Sequence, residues 1–266
     1  MSKAGFKTKK SLGQNFLKDD WVLENIASAC GAGADDTVVE IGPGLGALTD
    51  YLARCSKKVI AVELDDRLIP ILRAKFALCG NVEIVHEDIL KFDWASIEDT
   101  GSKLKIAGNL PYYITTPILL GIMEKRVPAE SITVMVQKEV ADRIVADPGG
   151  KDYGVLSVSL QYYAECFKVL DVPAECFEPR PKVDSAVVVL KLRKELPLER
   201  AEEDRFFKLV KQAFSQRRKT LGNSLCGFEG KTKADIEEML IKQGIDPQRR
   251  AETLSVEDYI KLSKEI

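Results

Sequence analysis

Short apolar runs alternate with amphipathic segments over the first two-thirds of the chain. Runs that read as buried strands lie at 37–41, 58–62, 82–85, 104–107 and 132–136. Apolar residues recur at helical spacing in 48–55, 67–76, 116–124 and 139–145, and an earlier helix begins after Asp19 or Asp20 as N-cap. Continuously apolar strands that alternate with helices predict a parallel sheet that is covered on both faces.

The pattern changes towards the C-terminus. A helix is predicted at 155–163, and two β-rich segments at 167–172 and 186–191 are expected to join the same sheet. After residue 197 only helical spacing remains, and it predicts helices at 202–214, at 236–241 and after Ser255 as N-cap. We therefore predict an α/β domain over residues 1–197, which begins with a basic arm, and a small all-helical domain over 198–266.

Composition places the chain among globular proteins and argues against several classes. It has 266 residues, of which 45% are hydrophobic and 30% charged, so we expect a soluble cytoplasmic protein. No apolar run reaches about 18 residues and no secretory signal is visible, so no membrane association is expected. One histidine and scattered cysteines predict no metal site.

The bulk charge does not indicate a nucleic-acid partner, whereas the local charge does. The net charge is −2, but the first 18 residues hold five lysines and no acidic residue. Further basic runs lie at 217–219 and 249–250. A single basic run is more often a solvated surface than a binding site, so these runs need support from other features.

Polar and glycine residues follow the predicted strands at the edge where ligands bind in open α/β sheets. Glu40 precedes a loop that contains Gly42 and Gly44, and glycines let the backbone approach a ligand closely. Glu63 ends the next strand and could accept both ribose hydroxyls, while Asp88 could accept the amine of an adenine. Each acid alone is as easily a surface or capping residue, but their order predicts a cofactor that contains adenosine.

NAD and S-adenosyl-L-methionine both contain adenosine, and two features favour the second. Glu40 lies where it could hold the amino acid part of S-adenosyl-L-methionine. The motif Asn109-Leu110-Pro111-Tyr112 has no evident use in hydride transfer, but it suits a flat ring whose amino group is methylated. An NAD-linked oxidoreductase is the alternative, and it leaves the motif without a role.

Several stretches carry a resemblance to a known family. The combination Glu-x-Gly-x-Gly-x-Gly and Asn-Leu-Pro-Tyr resembles the amino-methyltransferases of nucleobases. From about residue 9 to the C-terminus the chain resembles the adenine dimethyltransferases of bacterial small-subunit ribosomal RNA, on the stretches 13–17, 109–117, 177–185 and 214–221. Gly222 departs from the pattern, because the family is expected to carry Arg there, and this concerns one phosphate contact.

The resemblance implies a fold and an activity. It implies a Rossmann-like methyltransferase sheet with a small all-α C-terminal domain, and S-adenosyl-L-methionine as cofactor with S-adenosyl-L-homocysteine as product. The implied reaction is N6,N6-dimethylation of two adjacent adenines in a 3′-terminal hairpin loop of 16S rRNA in the small (30S) subunit, by a monomer that acts in ribosome biogenesis. Asn15 and Leu17 would close over the cofactor, and Asn109 would also contact it, where the cofactor and the target base meet. The alternatives are an Erm-type 23S rRNA methyltransferase and a non-catalytic assembly factor.

The motif also predicts a mechanism. The amine of adenine is a poor nucleophile, because its lone pair is delocalised into the ring. We expect the Asn109 side-chain oxygen and the Leu110 carbonyl to accept its two N–H groups and to draw the lone pair towards the methyl group. Pro111 would fix that carbonyl, Tyr112 would stack on the base, and Phe177 would be a second ring on the opposite face. No general base is needed, because the methylated nitrogen is acidic.

Basic residues are expected to hold the RNA by its phosphates, because a target adenine must be flipped out or lie in a loop. By position they fall near the cofactor mouth, in the loop after Phe177 and in the helical domain. They are Lys9, Lys10, Arg180, Lys182, Arg217, Arg218, Lys219, Arg249 and Arg250.

Overall fold

The computed structural model describes residues 14–97 and 103–265. The predicted strands and helices of these ranges all form, with bounds that differ by a few residues. The strands are β1 Phe16–Leu17, β2 Thr37–Ile41, β3 Lys58–Glu63, β4 Val82–His86, β5 Leu104–Asn109, β6 Ala129–Gln137, β7 Ala164–Val172, β8 Phe177–Glu178 and β9 Ser185–Leu192.

The helices begin where the sequence supplies caps. The Asp19 carboxylate accepts the Val22 N–H at 3.1 Å, and the Ser255 hydroxyl accepts the Asp258 N–H at 3.1 Å, so both predicted N-caps are confirmed. The helices are α1 Asp20–Cys30, α2 Ala47–Cys55, α3 Ile69–Lys75, α4 Thr115–Glu124, α5 Lys138–Ile144, α6 Val155–Tyr163, α7 Arg200–Phe214, α8 Leu221–Ser224, α9 Lys233–Lys242 and α10 Val256–Glu265.

One sheet of seven strands carries the predicted α/β architecture, in the order β4-β3-β2-β5-β6-β9-β7. Strands β2 to β6 pair in parallel, and β9 pairs antiparallel with β6. The two β-rich segments after α6 therefore do join the sheet, as predicted. The strand order reverses between β2 and β5, and a crevice forms at such a reversal, outside the carboxyl ends of the strands.

Strands β2 and β5 lie unusually close at their carboxyl ends. Gly108 pairs with Ile41, and a Cβ atom added to Gly108 would lie 2.6 Å from the Ile41 carbonyl oxygen. Only glycine allows this approach. All five residues of β2 are buried, which is why its sequence is almost continuously apolar.

A second, two-stranded sheet was not predicted. Strand β1 pairs antiparallel with β8, so that Phe16 lies opposite Glu178 and Leu17 opposite Phe177. The Lys18 N–H extends the pairing by donating to the Cys176 carbonyl at 3.0 Å. The N-terminal segment is thereby joined to the loop that precedes β9.

The chain divides into two compact units, Met1–Ala141 with Cys166–Leu192, and Asp142–Glu165 with Arg193–Ile266. We call them the sheet unit and the helical unit. They differ from the predicted boundary near residue 197, because α6 belongs with the later helices. The Tyr162 ring lies 4.8 Å from the Phe206 ring, and its hydroxyl donates to Glu203 at 2.9 Å. No helix in the described ranges has the length and apolar character needed to cross a membrane.

Candidate functional site

A cavity of about 1150 Å³ lies in the sheet unit at the carboxyl ends of β2, β3, β4 and β5. It brings together the predicted cofactor residues and the predicted base-binding motif. Of the residues singled out in the sequence it is lined by Asn15, Leu17, Glu40, Gly42, Gly44, Glu63, Asp88, Asn109, Leu110, Pro111 and Tyr112. Their roles stay predictions, but their convergence on one cavity is observed.

Glu40 is a buried carboxylate without a full set of partners. Its side chain belongs to β2 and is 1% exposed, and within residues 14–97 and 103–265 no group donates to its Oε2 atom. Burial raises the pKa of Glu40 to about 8. A buried carboxylate of this kind is satisfied by a cation or a donor from a ligand, and the ammonium of an amino acid supplies both.

The glycine loop after β2 leaves room beside its backbone. Gly42 has a φ of 65°, and a Cβ atom added there would meet nothing within 4 Å. The Gly44 N–H donates to Glu63 Oε2 at 3.0 Å, which ties the loop to the end of β3. The loop is thus held in place while its surface at Gly42 stays open to a ligand.

Glu63 and Asp88 hold their carboxylates at two adjacent strand ends. Glu63 Oε1 accepts the Asp65 N–H at 2.8 Å, and burial raises the pKa of Glu63. Asp88 Oδ1 accepts the Leu90 N–H at 3.0 Å, whereas Oδ2 takes no hydrogen bond from the part of the chain that the structure describes. Each carboxylate can accept further bonds, so both can still bind hydroxyl or amino groups.

Asn109 lines the cavity, and one end of its side-chain amide is held. Its Nδ2 atom donates to the Asn15 carbonyl at 3.1 Å, which leaves the Oδ1 atom available to accept from a ligand. The Leu110 N–H donates to the Met135 carbonyl at 3.1 Å, and no described residue donates to the Leu110 carbonyl. Pro111 keeps the chain extended, with φ −60° and ψ 127°. Two acceptors therefore follow each other at the end of β5.

Tyr112 is anchored at its hydroxyl, which lies 2.8 Å from the Ser185 hydroxyl at the start of β9. Its half-buried ring lines the cavity. Tyr113, which the sequence did not single out as a site residue, also lines the cavity and is 54% exposed. Two neighbouring aromatic rings are thus available to a planar ligand.

The structure does not bring Phe177 into the cavity, in contrast to the predicted second ring. Phe177 is 2% exposed and packs in the core with Leu17, Val22 and Ile26. The β1–β8 pairing is the reason, because it sets Phe177 opposite Leu17 over helix α1. Its neighbours Glu178 and Pro179 line the cavity instead.

Sequence reasoning missed a buried cluster beside Glu63. Asp65 is 1% exposed, and its carboxylate accepts Arg67 Nε at 2.9 Å and Gln14 Nε2 at 2.9 Å. These hydrogen bonds, foremost those from Arg67, hold the pKa of Asp65 well below its usual range. The Asp-x-Arg spacing after a strand could have indicated the ion pair, but no signal links Asp65 to a residue 51 positions away.

The predicted RNA-binding residues Arg180 and Lys182 of the sheet unit are both exposed, and one of them forms an ion pair. Arg180 forms an ion pair with Glu175, and both side chains are largely exposed. Lys182 is exposed as well. Lys9 and Lys10 lie outside the described residues. Among the residues that are described, no group of three or more His, Cys, Asp or Glu is arranged to hold a metal ion.

The predicted RNA-binding residues of the helical unit divide into two kinds. Arg218, Lys219 and Arg250 are exposed, and Arg217 is exposed while it donates to the Lys151 carbonyl at 2.9 Å. Arg249 is half-buried, and its guanidinium donates to the Thr253 hydroxyl at 3.1 Å and to the Thr253 carbonyl at 2.5 Å. Arg249 thus stabilises the turn that precedes α10.

Gly222 faces the interior of the helical unit. It is buried in α8, and a Cβ atom added there would lie 3.1 Å from the Glu237 side chain. A larger residue would need Glu237 to move. The position therefore packs against α9 in this chain instead of offering a side chain to a phosphate.

Comparisons with known proteins match almost the whole chain. The model of the family described as ribosomal RNA adenine dimethylase matches residues 5–266. A ribosomal RNA small subunit methyltransferase A from Shouchella clausii is 48% identical over 99% of this chain and 91% of its own length. The protein of the same name from Bacillus cereus is 46% identical over 99% of this chain and 92% of its own length.

Solved structures show the same fold. A dimethyladenosine transferase from Plasmodium falciparum has a TM-score of 0.81 at 26% identity, over 93% of this chain and 95% of that one. The 23S rRNA methyltransferase ErmE has a TM-score of 0.75 at 29% identity, over 94% of this chain and 99% of that one. Both similarities extend across nearly the whole chain.

Proposed function

Because the chain belongs to the ribosomal RNA adenine dimethylase family, we propose that its cavity brings a methyl donor and a ribosomal adenine together. The chain is an S-adenosyl-L-methionine-dependent adenine dimethyltransferase of small-subunit, 16S, ribosomal RNA. One observation carries the proposed mechanism: the acidic strand ends of β2, β3 and β4 share a cavity with the Asn109–Tyr112 motif of β5. The first group suits adenosine and the second suits an amine.

The donor side of the cavity fits S-adenosyl-L-methionine. Glu40 would hold the ammonium of its methionine part, since Oε2 is buried and without a partner among the described residues. Glu63 would accept the ribose hydroxyls and Asp88 the adenine amine, while Gly42 and Gly44 form the loop beside the methionine part. When bound, the cofactor supplies a methyl group on a sulfonium, which is already a strong electrophile.

The acceptor side orients the target amine. Asn109 Oδ1 and the Leu110 carbonyl accept the two N–H groups of the adenine amine. Because both acceptors bind the hydrogens, the lone pair of the nitrogen is drawn out of the ring plane and towards the donor side. Orientation is the main contribution to the rate, since the reacting atoms need only be held in line. The proton leaves once the nitrogen carries the methyl group, so no dedicated base is required.

The adenine ring is held by stacking. Tyr112 offers a face that its contact with Ser185 keeps in place, and base stacking on an aromatic side chain is worth about 1–3 kcal/mol. Exposed basic residues of both units would hold the surrounding phosphates, and this attraction weakens with salt. The target is proposed to be two adjacent adenines in a 3′-terminal hairpin loop, reached in the cytoplasm by a monomer.

The Erm type is the second candidate, because ErmE shares the fold over nearly the whole chain. Small-subunit enzymes are favoured, since the relatives of that name are 46–48% identical and ErmE is 29% identical. The experiment supplies methyl-labelled S-adenosyl-L-methionine with small subunits, with large-subunit RNA or without RNA. We expect label as dimethyladenine with small subunits alone. Label in large-subunit RNA alone would contradict the proposal.

A further inference from the structure

The N-terminal segment 14–18 touches both sides of the cavity. At one end Gln14 Nε2 donates to Asp65 Oδ2 at 2.9 Å, two residues beyond Glu63. At the next residue the Asn15 carbonyl accepts Asn109 Nδ2 at 3.1 Å. Beyond these, Phe16 and Leu17 pair with β8. The segment therefore links the donor side, through Asp65, to the acceptor side, through Asn109.

Asp65 is a rigid anchor for this segment. Its carboxylate is fully buried and held by Arg67 through Nε at 2.9 Å and Nη2 at 2.5 Å. Its own N–H donates to Glu63 at 2.8 Å. The bond from Gln14 to this ionised carboxylate is charge-assisted, which makes it stronger than a bond between neutral groups.

The Asn109 side-chain amide needs a neighbouring group that fixes its orientation. An asparagine amide has an acceptor oxygen and a donor nitrogen of nearly the same size, and rotation about its last side-chain bond exchanges them. With the nitrogen turned to the cavity, two donors would face each other at the adenine amine. A carbonyl oxygen can only accept, so the Asn15 carbonyl selects the orientation in which Oδ1 faces the base.

We propose that Gln14 and Asp65 are positioning residues for methyl transfer: they hold Asn15 so that its carbonyl orients the Asn109 amide. The inference rests on the proposed function, because it assigns the orientation of a residue in that mechanism. Its consequence is specific. Loss of the Gln14–Asp65 bond lets Asn15 move, the amide then samples both orientations, and turnover falls more than cofactor binding does.

The primary test compares Gln14→Ala and the isosteric Gln14→Glu with the wild type. Gln14→Glu keeps the shape of the side chain but replaces its donor with a second carboxylate that faces Asp65. We expect kcat to fall about tenfold in both variants, because each loses one hydrogen bond to a charged group. The KM for S-adenosyl-L-methionine should change less than about threefold. Gln248→Ala, at an exposed glutamine of the helical unit, is the control and should match the wild type.

A double-mutant cycle tests the route through Asn109. Asn109→Asp keeps an acceptor but removes the Nδ2 donor, so Asn15 can no longer orient it. Adding Gln14→Ala to Asn109→Asp should then lower kcat by less than about twofold. A full tenfold further loss would overturn the inference, as would a raised KM with unchanged kcat, or wild-type kcat in Gln14→Glu.

Folding and function are checked separately. Each variant is compared with the wild type by thermal unfolding; a lower midpoint is expected because a hydrogen bond to the buried Asp65 carboxylate is lost, so kcat is measured well below the midpoints of all variants. If the wild type failed to label small-subunit RNA, the proposed function itself would be wrong. If the wild type labels the RNA and Gln14→Ala labels it equally fast, only the positioning inference is wrong.

Discussion

The polar residues of the cavity in the sheet unit and the exposed basic residues of the helical unit differ in how firmly they are held. Glu40 and Glu63 are at most 6% exposed, and Asn109 is fixed by a hydrogen bond to Asn15. Arg218 and Arg250 are exposed. Methyl transfer depends on atoms held in line, and a 1 Å misplacement can cost about 10²-fold in rate. Attraction to phosphate acts over about 8 Å at physiological salt and tolerates mobile side chains.

The largest effect is expected at Asn109. Asn109→Ala removes one of the two proposed acceptors, so the lone pair of the amine is no longer directed at the methyl group. We expect kcat to fall by about 10² or more, with cofactor affinity within about threefold of the wild type. Steady-state transfer of labelled methyl groups and calorimetric titration measure the two quantities.

The control for this variant is Asn25→Ala, which removes a half-buried asparagine on α1 whose side chain donates to the Trp21 carbonyl. It should leave both quantities unchanged. A wild-type rate in Asn109→Ala would contradict the proposed mechanism. Other residues of the cavity would then have to orient the amine.

The next effect is expected at Glu40. Glu40→Gln keeps the size of the side chain but loses the charge that would bind an ammonium, so cofactor affinity should fall about 30-fold. In the wild type the affinity should rise with pH up to about 8, the pKa of buried Glu40, because the cation selects the ionised form. In Glu40→Gln this dependence should be absent. Calorimetric titrations between pH 6 and pH 9 distinguish the two.

The same substitution should act on stability with the opposite sign. The pKa of Glu40 is raised from 4.5 to about 8 on folding, so the folded state favours the protonated form. The free energy of unfolding of the free protein therefore falls as pH rises between these values, and Glu40→Gln removes that loss. At pH 9 the variant should be more stable than the wild type by about 1 kcal/mol or more, measured by urea unfolding. Equal stability of the two proteins at pH 9 would mean that burial does not raise the pKa of Glu40.

A smaller effect is expected at the exposed arginines Arg217 and Arg218. Reversing charge in Arg217→Glu/Arg218→Glu should raise KM for small subunits about tenfold and reduce its salt dependence, with cofactor affinity unchanged. Lys208→Glu/Lys261→Glu makes the same change of charge at exposed positions outside the run and is the matched control. Equal losses of RNA and cofactor binding would mean that the two arginines are structural.

The smallest effects separate two adjacent arginines. Arg249→Ala removes the bonds to Thr253 and should lower the free energy of unfolding by about 1 kcal/mol, with RNA binding changed little. Arg250→Ala removes an exposed side chain, so the free energy of unfolding should change little. The KM for RNA should be two- to threefold higher. Thermal unfolding and RNA titration of both variants measure this contrast. The same outcome in both variants would contradict the division into structural and RNA-binding arginines.

Most of the sheet could be predicted, because its signals are local. The apolar run of β2 and the caps Asp19 and Ser255 lie within a few residues of the structure they determine. The strand-end residues Glu40 and Asn109 could be placed in one cavity, since parallel strands present their carboxyl ends at the same edge.

The features that could not be predicted depend on contacts between residues that are far apart in the sequence. Two-residue strands such as β1 and β8 have no periodicity, so their pairing and the burial of Phe177 left no trace in the sequence. The Gln14–Asp65 bond likewise joins two loops. Helix α6 was predicted, but its apolar surface does not indicate that its partner is α7.

The close contact between Gly108 and Ile41 brings the proposed cofactor side and the proposed base side of the cavity together. Glu40 precedes Ile41 and Asn109 follows Gly108, so the proposed anchors of the two substrates lie on neighbouring strands of one hydrogen-bonded ladder. Adjacent strands lie about 4.7–4.9 Å apart, a spacing that peptide geometry keeps constant. In the proposed mechanism, the backbone pairing of β2 and β5 therefore sets the separation of the two anchors. A side chain at position 108 is the substitution that would disturb this pairing.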